Sequence, residues 1–378
     1  MIRITMHQAG NGDCISIQTD EEFVLIDGGT AHSFDQWKKE IFDKVSKIDT
    51  LIVTHIDNDH VNGVIKLLLD EKCPKINEIY FNGVEQIFEN ITINNEEIDR
   101  TIERQLKAFA CECDNIETTI PVGYAEGTSL SYLIKEKGIN CNSIVSQEAI
   151  YREKLKEFYS NKIKFTIISP TQDDLNELKQ NWLKSLNEKK IRPKILTKSY
   201  SEAFELFVKN IIDSHTENFN INATSHSSIE SLATTPYFPD PSLTNKSSFA
   251  FLIEYGDKKI LYLGDCHVET IISWLDMECI ETLEVDLIKI SHHGSKNNTN
   301  LDLLRRIKSK KYFISTNGNI HSHPDLETLS RIIFVNQQDE IEIYINHEVN
   351  HIPNWFINEI NEKYINVKLF QGIQGVEL

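Results

Sequence analysis

Thr50-Leu51-Ile52-Val53-Thr54-His55-Ile56-Asp57-Asn58-Asp59-His60 is the stretch on which the fold turns. The apolar run 50–54 predicts a buried strand that stops at His55, and residues 60–70 have helical periodicity. Between them, His55–His60 holds two imidazoles and two carboxylates. A loop at the carboxyl end of a strand turns several side chains toward one point. Imidazole nitrogen and carboxylate oxygen are the donors that Zn²⁺, Mn²⁺ and iron accept. The competing reading is a polar loop in which Asp59 caps a helix beginning near His60.

Distant segments repeat the design and weigh against simple capping. Phe23-Val24-Leu25-Ile26 predicts a buried strand ending in Asp27-Gly28-Gly29. Leu261-Tyr262-Leu263 runs into Gly264-Asp265, and Ile290-Ser291 runs into His292-His293-Gly294-Ser295. Around these ends the pattern alternates. Helices are predicted at 34–46, 95–110, 127–137 and 172–190, and strands at 76–81, 164–168, 249–254, 259–263, 285–290, 312–315 and 341–345. Tyr255-Gly256-Asp257 reads as a hairpin turn. Such alternation predicts a layered α/β fold. A polar stretch at 214–247, rich in Ser, Thr and Asn, reads as an insertion or flexible loop.

The 378 residues suffice for a sizeable core. The composition, 40% hydrophobic and 25% charged, is that of a globular protein. No apolar run approaches the ~18 residues of a membrane span. The opening MIRITMHQAG enters a strand pattern directly. These features predict a cytoplasmic protein without a membrane segment. The seven cysteines form no Cys-x-x-Cys pair, and Cys111 and Cys113 flank a single residue, which predicts reduced thiols. The net charge of −18 repels bulk nucleic acid and anionic membranes. It is compatible with a phosphate substrate at a metal centre, where bound cations dominate the local field.

The ordered set of motifs resembles the metallo-β-lactamase superfamily, and within it the metallo-hydrolase domain of bacterial DNA-uptake (competence) channel proteins. The shared features are Asp27-Gly28-Gly29, the His-x-Asp-x-Asp-His of 55–60, Asn245-Lys246-Ser247-Ser248, Gly264-Asp265, His292-His293-Gly294-Ser295 and the Gly/His-rich stretch ending His321-Ser322-His323-Pro324. They cover most of residues 1–350 in order and leave 85–160 and 172–240 unmatched. The resemblance implies a four-layered αββα sandwich in a single domain, 1–378, with a helical or irregular insertion at 172–244. It implies one or two divalent metals, Zn²⁺ or Mn²⁺, held by His55, Asp57, Asp59, His60 and Asp265 with His292 or His293. Two departures mark this chain. Asp57 stands where the family has a second His, and no mid-chain His ligand is evident, with Asn245 and Ser248 standing near its place. His215, His226 and His267 are the histidines of that region. The expected site is therefore oxygen-rich, with one of its two metal positions weakened.

The implied chemistry is metal-assisted hydrolysis, the cation lowering the pKa of a coordinated water. Asp265 is expected to bridge, Asp27 to orient a ligand histidine, and Asn245 and Ser248 to support the ligands. Asp57 and Asp59 are the expected catalytic carboxylates. His323 and His321 are candidates to protonate the leaving group or bind substrate, with turn residues before Pro324 as the plain alternative. Ser295, Lys296 and Asn297 are placed to meet a phosphate, helped by a helix starting near Asn300. Glu269 reads as a surface helix residue. A phosphodiester, in nucleic acid or a nucleotide, is the expected substrate, and the basic stretch Lys184–Lys198 could guide a strand. The alternatives are a small ester, lactone or amide, and a metal-poor interaction or sensor module, with 85–160 and 172–244 as partner surfaces.

Overall fold

Three apolar layers organise the chain in the computed structural model, which describes residues 1–88, 100–114, 129–191, 197–210 and 228–378. The middle layer lies between two β-sheets. Alternate side chains of each strand enter it, as the period of two requires: Ile4, Met6, Ile15, Ile17, Val24 and Ile26 from one sheet, and Phe165, Phe251, Ile253, Ile260, Tyr262 and Phe313 from the other. The remaining side chains of the same strands face outward onto helices. Leu25, Leu51 and Ile79 pack with Trp37, Ile41, Val64 and Leu67. Leu252, Leu261, Ile288 and Ile343 pack with Ile271, Trp274, Leu329 and Ile332. Helix, sheet, sheet, helix is the expected αββα sandwich. Each fully buried aliphatic or aromatic side chain contributes about 1.5–3 kcal/mol of transfer free energy to it.

The first sheet has six strands among the described residues, in the order Gly375–Glu377, Arg3–Met6, Ile15–Gln18, Phe23–Ile26, Lys47–Ile52 and Lys75–Tyr80. The last three run parallel. The second has eight, Val367–Gln371, Ile341–Ile345, Lys311–Ile314, Leu287–Lys289, Lys258–Tyr262, Ala250–Tyr255, Ile163–Ser169 and Glu157–Ser160, of which the first five run parallel. The carboxyl ends of the parallel strands meet at one edge of the sandwich. Phe249 N donates to Thr54 O at 3.0 Å, and the Ser315 hydroxyl donates to Gly12 O at 2.8 Å. Open α/β sheets bind ligands beyond their carboxyl ends.

The helix Gln172–Glu188 starts at a Thr171 capping box. Its Trp182 stacks on Phe109 of the helix Arg100–Asp114 at 5.5 Å. Trp182 also donates to the Tyr200 hydroxyl of the helix Lys198–Lys209 at 2.7 Å. These helices thereby extend the helical layer over the first sheet. The polar stretch expected to be a loop is structured from Ser228 onward. Its helix Ile229–Ala233 buries Ile229 and Ala233, the anchors that the surrounding Ser and Thr residues conceal in the sequence. His215 and His226, Arg192 and Lys194, and residues 95–99 of one predicted helix lie outside the described residues. Four strands were not expected from periodicity: Glu157–Ser160, Val367–Gln371 and Gly375–Glu377, each at the edge of a large sheet, and Ile307–Ser309, which pairs with Leu283–Val285 in a separate two-stranded sheet. Among the described residues, no helix is long and apolar enough to cross a membrane.

Candidate metal centre

Close backbone contact fixes the 55–60 loop. The helix Asn58–Leu69 lies flush on Asp27-Gly28-Gly29, with Gly28 N donating to His60 O at 2.9 Å and Gly63 N to Gly29 O at 3.0 Å. A Cβ on Gly63 would stand 1.7 Å from Gly28 O, so neither glycine can carry a side chain here. Asp27 itself adopts φ +60°. Its Oδ1 accepts from Thr54 N at 2.8 Å. Its Oδ2 accepts from the Thr54 hydroxyl at 2.7 Å and from His60 Nδ1 at 2.9 Å.

Three histidines follow one scheme. His60 Nδ1 donates to Asp27, His55 Nδ1 to the Thr54 hydroxyl at 3.0 Å, and His293 Nδ1 to Ser315 O at 2.9 Å. In the neutral ring each Nε2 therefore presents a lone pair. All three Nε2 atoms are buried without a hydrogen-bond partner, as is Asp265 Oδ1. They converge on Asp265 Oδ2, which lies 3.3 Å from His60 Nε2, 3.5 Å from His293 Nε2 and 3.8 Å from His55 Nε2. Asp59 closes the group, Oδ1 at 3.7 Å from His60 Nε2 and Oδ2 at 3.5 Å from His293 Nε2. Donors bound tetrahedrally to Zn²⁺ at about 2.0–2.1 Å stand roughly 3.4 Å apart. Asp59, His60 and His293 form one donor group and His55, His60 and Asp265 another, each with the spacing of a divalent-cation site, and Asp265 Oδ2 also lies at that spacing from His293. Unpaired buried polar atoms are costly, and a cation there would satisfy all three nitrogens at once.

The electrostatics agree. Burial opposes the charge on His60, yet Asp265 and Asp27 hold its pKa well above the usual histidine value. Burial also opposes the charge on Asp265, and His293 and His60 outweigh it and keep the carboxyl well below its ordinary range. Burial and His60 push His55 down to about 3. A cluster of buried carboxylates that draws on imidazolium charge is one that a metal ion would satisfy.

The other predicted residues fall into distinct places. Asp57 stands outside the converging donor groups. It is the N-cap of the helix Asn58–Leu69, and its Oδ1 accepts from Asn58 N at 2.6 Å. His293 is in the cluster, whereas His292 turns toward the rim. Its Nδ1 donates to Asn298 Oδ1 at 2.8 Å and lies 3.4 Å from Asp240 Oδ2. Asn245 and Asn298 each donate to that same Asp240 oxygen at 2.8 Å. The Ser248 hydroxyl accepts from Asp265 N at 3.1 Å. His323 lies 3.3 Å from Asp325, with ring centroids 5.5 Å from His292 and 5.7 Å from the exposed His321. Ser295 Oγ accepts from Asn297 N at 3.2 Å, and Asn297 O accepts from Asp240 N at 3.1 Å. Lys296 is committed elsewhere, its Nζ 3.2 Å from Glu327 and its N donating to Asp325. The helix after Asn300 spans only Leu301–Arg306. Glu269 accepts from the Tyr237 hydroxyl at 3.2 Å, in an exposed contact.

Sequence reasoning missed four contributors. Asn11 donates to Asp59 Oδ2 at 2.7 Å. Asp13 is fully buried beside His293 at 3.4 Å. Asp240 and Asn298 clamp His292. The usable signal for Asp13 was Gly12-Asp13 between two short strands, the same glycine–aspartate turn as Gly264-Asp265.

Residues 7–79, which include the first ligand loop, match the family model of the metallo-beta-lactamase superfamily. ComE operon protein 3 of Bacillus subtilis (strain 168) is 30% identical over 95 residues, which are 25% of this chain and 12% of that protein. Similar solved structures include the metallo-beta-lactamase fold protein YhfI from Bacillus subtilis, 8% identical, covering 100% of each chain at a TM-score of 0.39. A diphosphatase from the PhnP family is 10% identical and covers 100% of this chain and 98% of its own at a TM-score of 0.41. The chain carries the metallo-β-lactamase fold, with the family-model match over residues 7–79 spanning its Asp27 and His55–His60 loops.

Proposed function

We propose that the protein is a metal-dependent hydrolase that cleaves phosphodiester bonds in a nucleotide or nucleic acid. The observation that carries this reading is the convergence of three partnerless imidazole Nε2 atoms on Asp265, closed by Asp59. A divalent cation bound there supplies Lewis acidity and lowers the pKa of a coordinated water. Asp59, His60, His293 and Asp265 would hold it. His55, beside Asp265 Oδ2 and grouped with His60, would furnish the poorer second position. The share of carboxylate donors suits Mn²⁺ as well as Zn²⁺. Asp27 fixes the His60 tautomer, Asn11 steadies Asp59, and Asn298 with Asp240 aims His292 at the rim. His292, His321 and His323 there present imidazoles to phosphoryl oxygens. His323, 3.3 Å from Asp325, would be the group to give the leaving group a proton, although burial lowers its pKa.

The test is metal analysis of the purified chain followed by hydrolysis of bis-p-nitrophenyl phosphate with Mn²⁺ or Zn²⁺. Metal-dependent turnover that falls at least about 10²-fold in Asp59→Asn is the expected result. Turnover confined to carboxylic esters or lactones would replace the substrate class. Absence of both metal and turnover would replace the enzyme with a binding module.

A further inference from the structure

Lys289 is 1% exposed, in the central strand Leu287–Lys289 between Ile288 and Ile290. Its ammonium pairs with the Asp13 carboxylate, donates to Gly264 O at 3.1 Å and lies 3.8 Å from Asp265 Oδ1. Asp13 is 0% exposed, and its Oδ1 has no hydrogen-bond partner. Donor atoms of Asp13, Asp265 and His293 lie within 4.8 Å of one another. Two donor sets therefore share Asp265 and His293. The outer set adds Asp59 and His60 and faces the rim. The inner set adds Asp13, and there the chain supplies its own positive charge.

We propose that Lys289 is a built-in cation: its ammonium holds the inner set of Asp13, Asp265 and His293 against a metal ion, and turns Asp265 so that Oδ2 alone serves the outer cation. The inference rests on the metal-centre reading above. It assigns Lys289 and Asp13 as positioning residues, removed from substrate. Their charges balance each other, so removing one alone alters the field at the outer set. Without Lys289, Asp13 keeps the Tyr262 hydroxyl at 3.1 Å and His293 Nδ1 at 3.4 Å but loses its only full countercharge beside two further donors, an arrangement that recruits a divalent ion. Without Asp13, the ammonium is left with Asp265 as its nearest carboxylate and competes there with the metal.

The test is equilibrium dialysis of the full chain against Mn²⁺ with metal analysis, alongside thermal unfolding with and without Mn²⁺. Neither readout depends on turnover. Lys289→Met is expected to bind about one further Mn²⁺ per chain, because the freed inner set matches the ligand chemistry of that ion. Asp13→Asn is expected to bind Mn²⁺ at least about tenfold more weakly, as loss of outer support does at metal sites. The double variant is expected to lose the extra ion and return to within about threefold of the parent, since the paired charges leave together. Parental stoichiometry in folded Lys289→Met, or parental affinity in Asp13→Asn, overturns the proposal. Should Lys289→Met not fold, Asp13→Asn and the double variant decide. A parent chain that binds no divalent ion sinks the metal-centre reading and this inference with it. A parent that binds, with variants unchanged, sinks this inference alone.

Discussion

Asp27→Asn changes one atom of the site, the Oδ2 that accepts from His60 Nδ1 and from the Thr54 hydroxyl. Asparagine tolerates the φ of +60° at this position, so the backbone is left unstrained. It also keeps the size of the side chain, and its Oδ1 can still accept from Thr54 N, now 2.8 Å away. What changes is the atom 2.9 Å from His60 Nδ1 and 2.7 Å from the Thr54 hydroxyl, which can turn to accept instead of donate. An amide NH₂ there faces an N–H, and the imidazole relieves the clash by moving its proton to Nε2. The His60 lone pair is then removed from the donor group. Loss of such an outer partner weakens metal binding by about 10–100-fold, or roughly 1.4–2.7 kcal/mol. The assay is titration calorimetry of Mn²⁺ and Zn²⁺ into metal-stripped protein, with thermal unfolding as the control for folding. Affinity within about threefold of the parent in a folded variant would refute the claim that Asp27 sets the His60 tautomer.

Gly63→Ala places a methyl 1.7 Å from Gly28 O, and two backbones cannot yield as a side chain would. Although alanine favours helix by about 1 kcal/mol, the variant is expected to lose at least about 2 kcal/mol in urea unfolding. Asn298→Ala releases His292 Nδ1 and a 3.3 Å bond to the Asp265 carbonyl but no ligand side-chain atom, so Mn²⁺ affinity is expected to hold within about threefold while KM for bis-p-nitrophenyl phosphate rises about fivefold, the worth of one hydrogen bond. Burial pushes the Asp240 carboxyl up, but the hydrogen bond and charge of His292, then the charge of His267, outweigh it and hold it below its ordinary 3.8. A depressed carboxylate stabilises the fold above its unfolded pKa, and that contribution is lost as pH falls through the folded value. Unfolding free energy below about pH 4 is therefore expected to fall more steeply in the parent than in Asp240→Asn. Equal slopes would contradict the assignment.

The layered fold was legible because its strands are apolar on both faces and end in Gly, Asp or His. Phe23–Ile26 is the clearest case, and the apolar parts 51–52 and 287–288 of two other strands read the same way. The edge strands were not, because Val367–Gln371 and Gly375–Glu377 bury little and lack the pattern. Within the site, His55, Asp59, His60, Asp265 and Asp27 stand at strand ends where spacing alone draws attention. Sequence could not choose between His292 and His293, since adjacent residues differ only in which way the turn aims them. The backbone there has φ +45° and +54°, which periodicity does not reveal. Asp57 occupies a motif position but is drawn to its own helix terminus, a local bond that competes with any distant one. Lys289 passed unremarked inside the strand expected at 285–290, because nothing in the sequence pairs it with Asp13. Asp240 and Asn298 act on His292 from 52 and 6 residues away in sequence, numbers that only a folded chain makes meaningful.

The central claim is that one divalent cation sits among Asp59, His60, His293 and Asp265. Anomalous diffraction from crystals soaked in Mn²⁺ or Zn²⁺ tests it most directly. The account predicts a peak about 2.0–2.2 Å from His60 Nε2, His293 Nε2 and an oxygen of each carboxylate. A saturating soak that leaves those atoms without a peak, or places the ion against other residues, would contradict it.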